Sequence, residues 1–286
     1  MKALYDVPAP AKLNLFLHVL GRRPDGMHLL QSAFMLIDWC DTLHFESRVD
    51  GSLDREDLGA ALPADDLVLR AARALQLESG TQLGARIAIE KRVPSEAGMG
   101  GGSSDAATCL LALNRLWKLN YPLSTLARIG LRLGADVPFF LGGRNAWVEG
   151  IGERLTRLDL PPARFAVAKP PQGLETARIF NDPQLERSSV AAIISGFAAN
   201  PYAFGANVLQ PVAQRLCPEV TQALEWLGSQ GIQARMTGSG SAVFGLMRQG
   251  QGLQAAPAGW QVRECGNLEV HPLSGWATSD DSSVGG

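Results

Sequence analysis

Cysteine is scarce in this chain, and the four present, Cys40, Cys109, Cys217 and Cys265, stand far apart. None has the spacing of a metal site or a redox pair, so reduced thiols in a cytoplasmic protein are expected. No block of basic residues occurs and the formal net charge is −2, which argues against a nucleic-acid partner. No stretch approaches the ~20 apolar residues of a membrane-spanning helix. Residues 1–10 lack the apolar core of a signal peptide. No internal repeat is present at a fixed period. What remains is a chain of 286 residues, 46% hydrophobic and 19% charged, long enough for one large or two modest globular domains.

The most informative stretch is 86–117, which reads as strand, glycine-rich loop and helix. Ile87 and Ile89 alternate with Arg86, Ala88 and Glu90, the period of a half-buried strand, and Pro94 stops it. Gly98, Gly100, Gly101 and Gly102 follow with only Met99 between them. Ser103 and Ser104 are candidate N-caps, with Asp105 in the first turn and expected to point aside. Ala106, Leu110, Leu113 and Trp117 form the apolar stripe of a helix. Such a junction suits an anion. Glycine lets the backbone approach a ligand, and the first amides of a helix lack internal partners. Two familiar phosphate loops do not fit. No lysine lies between Lys91 and Lys118 for a P-loop, and the frame beginning at Gly98 reaches Ser103 where a dinucleotide fingerprint requires glycine.

Residues 10–21 alternate strictly. Leu13, Leu15, Leu17 and Val19 share one face, and Lys12, Asn14, Phe16 and His18 the other. A lone strand lysine reads first as solvated. Pro24, Asp25 and Gly26 mark a turn. Residues 31–37 and 42–46 read as paired strands, 51–63 as a polar loop, and 64–78 as a helix capped by Asp65 or Asp66. Ser124 caps a further helix that Gly134 ends. Asp136 then sits among apolar residues, where an N-cap before Pro138 is the plain alternative to a site. Residues 146–149 begin another strand, and the composition changes near 157–162. Beyond lie a strand at 165–168, helices at 184–194, 207–216 and 218–227, and strands at 232–236 and 242–247. The last two flank a second Gly/Ser loop, 237–241, which alone would be a hairpin or bulge. Short strands are expected near 261–263 and 268–270.

Four motifs together carry a resemblance. They are Pro8 to Leu15 (PAPAKLNL), Arg23-Pro24-Asp25-Gly26 with His28, Pro94 to Ala107, and Gly134-Ala135-Asp136-Val137-Pro138-Phe139, with Thr237 to Ser241 as a later companion. In order and spacing they resemble the GHMP kinases, and the likeness runs from residue 8 to about residue 245. It implies a two-domain α+β fold with the active site in the cleft between domains; the composition change near 157–162 sets the domains at 1–158 and 159–276, and the residues of 277–286 read as a disordered tail. It implies ATP bound along Pro94, Ser95, Glu96, Ala97, Gly98, Met99, Gly100, Gly101, Gly102, Ser103 and Ser104. Mg2+ would bridge the phosphates, with no protein metal ligand assigned. Lys12 and Asp136 match the catalytic pair, and Asn14, His28, Thr176 and Phe180 match substrate positions.

The branch it looks most like phosphorylates the 2-hydroxyl of a cytidine-diphosphate-linked methylerythritol in non-mevalonate isoprenoid synthesis. The alternatives are another small-molecule kinase of the family, of homoserine or mevalonate type, or a non-catalytic nucleotide-binding protein of the same fold. The expected partner is the small-molecule substrate, with no nucleic acid and no membrane, in a cytoplasmic monomer or weak homodimer. Two positions depart from the family pattern. Met27 stands where tyrosine is usual, and Glu96 replaces a small or apolar residue and is expected to face solvent or a cation.

Overall fold

The computed structural model describes residues 2–279. Strands β1 (Ala3–Arg22) and β2 (His28–Arg48) pair antiparallel along nearly their whole length. β3 (Leu53–Asp57) is followed by helix α1 (Leu67–Ser79), and β4 (Gly84–Glu90) then pairs parallel to β3. After helices α2 (Gly101–Leu116), α3 (Leu123–Leu133) and α4 (Val137–Gly142) come β5 (Ala146–Gly150) and β6 (Arg154–Arg157). β2 organises this sheet. One of its edges takes β1, and the other takes β5 against Leu30–Phe34 and β4 against Thr42–Arg48.

The segments 31–37 and 42–46 are therefore not partners of one another. They belong to one 21-residue strand. Asp38, Trp39, Cys40 and Asp41 continue it because β1 supplies partners there, Pro10 opposite Cys40 and Ala9 opposite Asp41. The expected loop 51–63 contains β3, and Arg55 on that strand ties its remainder down. Its guanidinium bonds Asp57 (2.6 Å), Asp66 (2.7 Å) and the carbonyls of Pro63 (2.9 Å) and Leu62 (3.2 Å). Asp66 also caps α1 by accepting from the Leu69 amide.

Strand alternation sorts the core. Phe34 and Leu36 face α1–α4, whereas Ala33, Met35 and Ile37 face a second sheet. β1 breaks its own alternation through a register shift between Asn14 and Leu17. Phe16 consequently packs with Leu13 and Leu15, not on the face of Lys12 and Asn14 as strict alternation predicts.

The second sheet has the order β10-β7-β9-β8, from β7 (Arg164–Lys169), β8 (Ala234–Met236), β9 (Val243–Leu246) and β10 (Gln261–Gly266). Helices α5 (Thr176–Phe180), α6 (Ile194–Ala199), α7 (Gln210–Leu216) and α8 (Glu219–Ser229) complete this half. The chain crosses between the sheets within 157–164.

The helix expected over 184–194 does not form. Its backbone is engaged with the first sheet, the Ser189 amide donating to the Val19 carbonyl (3.0 Å) and the Ala192 amide to the Gln31 side chain (2.7 Å). Pro211 begins α7 and does not kink it. Residues 277 and 278, placed in a disordered tail by the sequence reading, are ordered. Ala277 is buried in the first core, and the Thr278 carbonyl accepts from the Leu123 amide (3.0 Å). Residues 280–286 of that expectation lie outside the described residues. Among the described residues, no helix is long and apolar enough to cross a membrane.

Candidate active site

A cavity of about 470 Å³ opens between the two sheets. Its wall includes Lys12, Asn14, Pro94, Ser95, Glu96, Ala97, Gly98, Met99, Gly100, Gly101, Gly102, Ser103, Asp136, Thr176 and Phe180. Residues as distant in sequence as Lys12 and Phe180 thus share one space because β1, the loop after β4, the start of α4 and α5 converge there.

Lys12 is only 4% exposed, so the solvated reading of a lone strand lysine does not hold. Its ammonium donates to Asn14 Oδ1 (2.5 Å), lies 3.4 Å from Asp136 Oδ2 and sits 4.5 Å from the centre of the Phe34 ring. All three interactions favour a cation. Asn14 is oriented in turn. Its Nδ2 donates to Ser32 Oγ (3.0 Å), and the Ser32 hydroxyl donates to the Phe16 carbonyl. Asp136 occupies the position before α4 but makes no side-chain capping bond; its carboxylate, 29% exposed, faces the lysine. The geometry is that of a carboxylate open to a substrate on one side and neutralised on the other.

The glycine-rich loop departs from expectation in its cap. α2 begins at Gly101, with Gly100 in the left-handed region (φ +71) as N-cap and no side-chain capping bond. A Cβ on Gly100 would lie 3.0 Å from the Phe140 ring and 3.2 Å from Lys12 Cε, which explains why no larger residue stands there. Ser103 lies within the first helical turn and on the cavity wall. The Ser104 side chain, expected along the nucleotide, is turned away from the cavity. It is fully buried, and its hydroxyl donates to the Pro10 carbonyl (2.7 Å), tying α2 to β1 and away from the cavity.

The second Gly/Ser loop is not a free hairpin but a brace for the first. A Cβ on Gly98 would meet the Thr237 carbonyl at 2.2 Å, and one on Gly238 the Gly98 carbonyl at 2.5 Å. The Ser241 amide donates to Glu96 O (3.1 Å) and the Ala242 amide to Ala97 O (3.3 Å). From the other side the Lys12 amide donates to Met99 O (3.0 Å). Thr237 also takes the Asn14 amide on its hydroxyl (2.8 Å). Glu96 is exposed as expected, its side chain lying over Gly173.

Beneath the loop lies a cluster the sequence did not announce. Lys91 bridges Asp41 and Asp105, the latter at 2.6 Å. Asp41 also accepts from the amides of Arg92 (2.6 Å) and Val93 (2.7 Å), fixing the turn that leads into the loop. Two acids compete for one ammonium. Burial, opposed by Lys91 and reinforced by Asp41, pushes the Asp105 carboxyl up to about 8. Lys91 itself is held protonated by the two acids against its burial. Asp105, expected to point aside, is held by Lys91, and both residues lie on the cavity wall. The cavity continues past Lys91 to Leu62, Pro63 and Leu67, an apolar end suited to a base or ribose.

At the opposite end the Thr176 and Ser239 hydroxyls share a hydrogen bond (2.8 Å). Phe180 lines the cavity, and the ring of His28, itself not on the cavity wall, rests on it with centroids 5.0 Å apart. Burial, with Arg187 and Arg22, lowers the His28 pKa. Arg187 and Ser239 were not singled out in the sequence. An arginine in a polar loop carries no local signal, and Ser239 had one only through its Gly/Ser loop. Among the described residues, no group of three or more His, Cys, Asp or Glu could hold a metal ion.

Comparisons with known proteins agree with this layout. The model of the GHMP kinase N-terminal domain matches residues 66–144, and that of the GHMP kinase C-terminal domain matches 186–259. A protein of Variovorax paradoxus named 4-diphosphocytidyl-2-C-methyl-D-erythritol kinase is 68% identical over 97% of this chain and 100% of its own length. One of the same name from Albidiferax ferrireducens is 67% identical over 100% of this chain and 99% of its own. A crystal structure of 4-(cytidine 5'-diphospho)-2C-methyl-D-erythritol kinase superposes with a TM-score of 0.73 at 33% identity, covering 91% of this chain and 98% of that one. Homoserine kinase from Cytophaga hutchinsonii, at 15% identity and a TM-score of 0.71 over 95% of this chain and 96% of its own, shares the fold. The chain belongs to the GHMP kinases, among the relatives that carry the 4-diphosphocytidyl-2-C-methyl-D-erythritol kinase name.

Proposed function

We propose that this kinase transfers the γ-phosphoryl group of ATP to the 2-hydroxyl of 4-diphosphocytidyl-2-C-methyl-D-erythritol. The observation that carries the reading is the Lys12–Asp136 pair, 3.4 Å apart, set between a glycine-lined cradle and an aromatic end. Asp136 accepts the hydroxyl proton as the substrate oxygen bonds to phosphorus and the bond to the β-phosphate oxygen breaks. Lys12 offsets charge on the transferring group. Asn14 holds the Lys12 ammonium in place. The amides at the start of α2 receive the β and γ phosphates. Thr176, Phe180 and His28 take the cytidine-bearing end.

The donors present suit Mg2+, since the Asp136 carboxylate and the Ser103 hydroxyl are oxygen ligands beside the cradle. When bound, the ion would neutralise and orient the phosphate oxygens. The reading includes a cytoplasmic monomer or weak homodimer with no nucleic-acid or membrane partner; a net charge of −2 without a basic block supports the lack of a nucleic-acid partner.

A coupled ADP-release assay with the cytidylyl substrate, homoserine and mevalonate tests the reading. Activity is expected on the first alone. Asp136→Asn is expected to lower kcat by about 10²–10⁴-fold with ATP affinity retained. Near-normal rates for Asp136→Asn and Lys12→Ala would reject the assignment of the pair.

A further inference from the structure

We propose that Arg187 is a positioning residue that fixes the proton of the His28 ring on Nδ1, so that the ring meets a pyrimidine base as a donor only. The inference rests on the cytidine reading above and adds a residue and a rule of specificity to it.

The argument begins with donor chemistry. Arg187 Nε–H donates to His28 Nε2 at 3.1 Å. An arginine nitrogen can only donate, so Nε2 must present its lone pair. The surroundings keep the ring neutral, because burial disfavours the imidazolium and the cations Arg187 and Arg22 repel it. A neutral imidazole with Nε2 unprotonated carries its hydrogen on Nδ1. The Arg187 bond is the only side-chain hydrogen bond of His28 among the described residues, leaving Nδ1–H as the group the ring offers a ligand.

The arginine is itself immobilised. Nη2 donates to the carbonyls of Phe180 (3.0 Å) and Asp182 (2.8 Å), and Nη1 to that of Leu185 (3.2 Å). Arg187 therefore holds, with one guanidinium, the backbone that carries Phe180 and the ring that rests tilted against Phe180. A fixed Nδ1–H matches the acceptors N3 and O2 of cytosine. It opposes the N3–H of uracil, where two donors would meet. Base selection thus follows from a proton held in place from outside the cavity wall.

The test uses full-length protein with ¹⁵N-labelled histidine rings. Long-range ¹H–¹⁵N spectra distinguish the two neutral tautomers, and His28→Asn assigns the His28 signals. The expected result is Nδ1–H for His28 in wild type and a mixed or Nε2–H ring in Arg187→Met, with Arg187→Lys intermediate. In parallel, Arg187→Met is expected to raise KM for the cytidylyl substrate by about tenfold or more, while KM for ATP stays within about twofold. Calorimetry with CDP and UDP is expected to show a preference for CDP that narrows in the variant. An Nε2–H ring in wild-type protein that still phosphorylates the cytidylyl substrate would overturn the inference and leave the function standing. An Nδ1–H ring in protein that binds neither CDP nor the cytidylyl substrate would overturn the function and the base-reading role with it. Should Arg187→Met fail to fold, the wild-type spectrum and the CDP/UDP comparison still decide.

Discussion

At the scale of single residues, buried charge governs this site. Lys12 has an amide, a carboxylate and an aromatic face around its ammonium. Asp105 is the less comfortable case, since Asp41 takes part of the same lysine. Its raised pKa has a definite consequence for stability. Between the ordinary carboxylate range and about 8, the folded protein retains a proton that the unfolded chain has released. Wild-type stability therefore falls as pH rises through that window. Asp105→Asn removes this cost, so its stability relative to wild type is expected to increase from pH 5 to pH 8 in urea titrations. A constant difference across the window would show that Asp105 does not hold the proton. Such residues were opaque in the sequence. Lys91 and Asp41 are 50 positions apart and Arg187 and His28 are 159, and no local pattern encodes either pairing. Lys12, Asn14 and Asp136 were legible because they sit inside short motifs.

At the scale of elements, the glycine-rich loop is shaped as much by the protein behind it as by any ligand in front. Gly98→Ala would place a methyl 2.2 Å from a backbone carbonyl in a left-handed conformation (φ +70). A destabilisation of about 1–3 kcal/mol is expected from overpacking, with a raised KM for ATP. Denaturation midpoints and ATP kinetics check both, and an unchanged midpoint would deny the contact between the two loops. Periodicity revealed the elements whose pattern was strong, such as α1 over 67–79 and the strand-loop-helix unit from Gly84 to Leu116. It failed where tertiary contacts decided. Residues 184–193 carry helix-like composition, but their backbone bonds go to β1 and β2. The segment 51–63 looked like a loop because only five of its residues form a strand, and their partner, β4, lies beyond α1.

At the scale of the whole molecule, the two halves are bound by a common core. Leu13, Leu15, Met35 and Trp147 of the first pack with Phe165, Val167 and Phe244 of the second. Main-chain bonds add to it, from Leu17 N to Ala206 O (2.9 Å) and from Val208 N to Leu17 O (3.0 Å). The division at 158/159 is therefore, as we propose it, one of topology and not of independent folding. A fragment of 1–158 would expose one face of its sheet and is expected to bind ANS or precipitate, while the full chain unfolds in a single urea transition. A soluble fragment with sharp near-UV dichroism would contradict this.

The stitching of Glu96 and Ala97 to Ser241 and Ala242, with Lys12 fastened to Met99, has one more consequence. With the nucleotide seated on this loop as we propose, a catalytic cycle that worked like a pair of jaws would have to break these bonds at the seat itself. Reactants have to come and go past a rigid frame, through small local rearrangements at its rim.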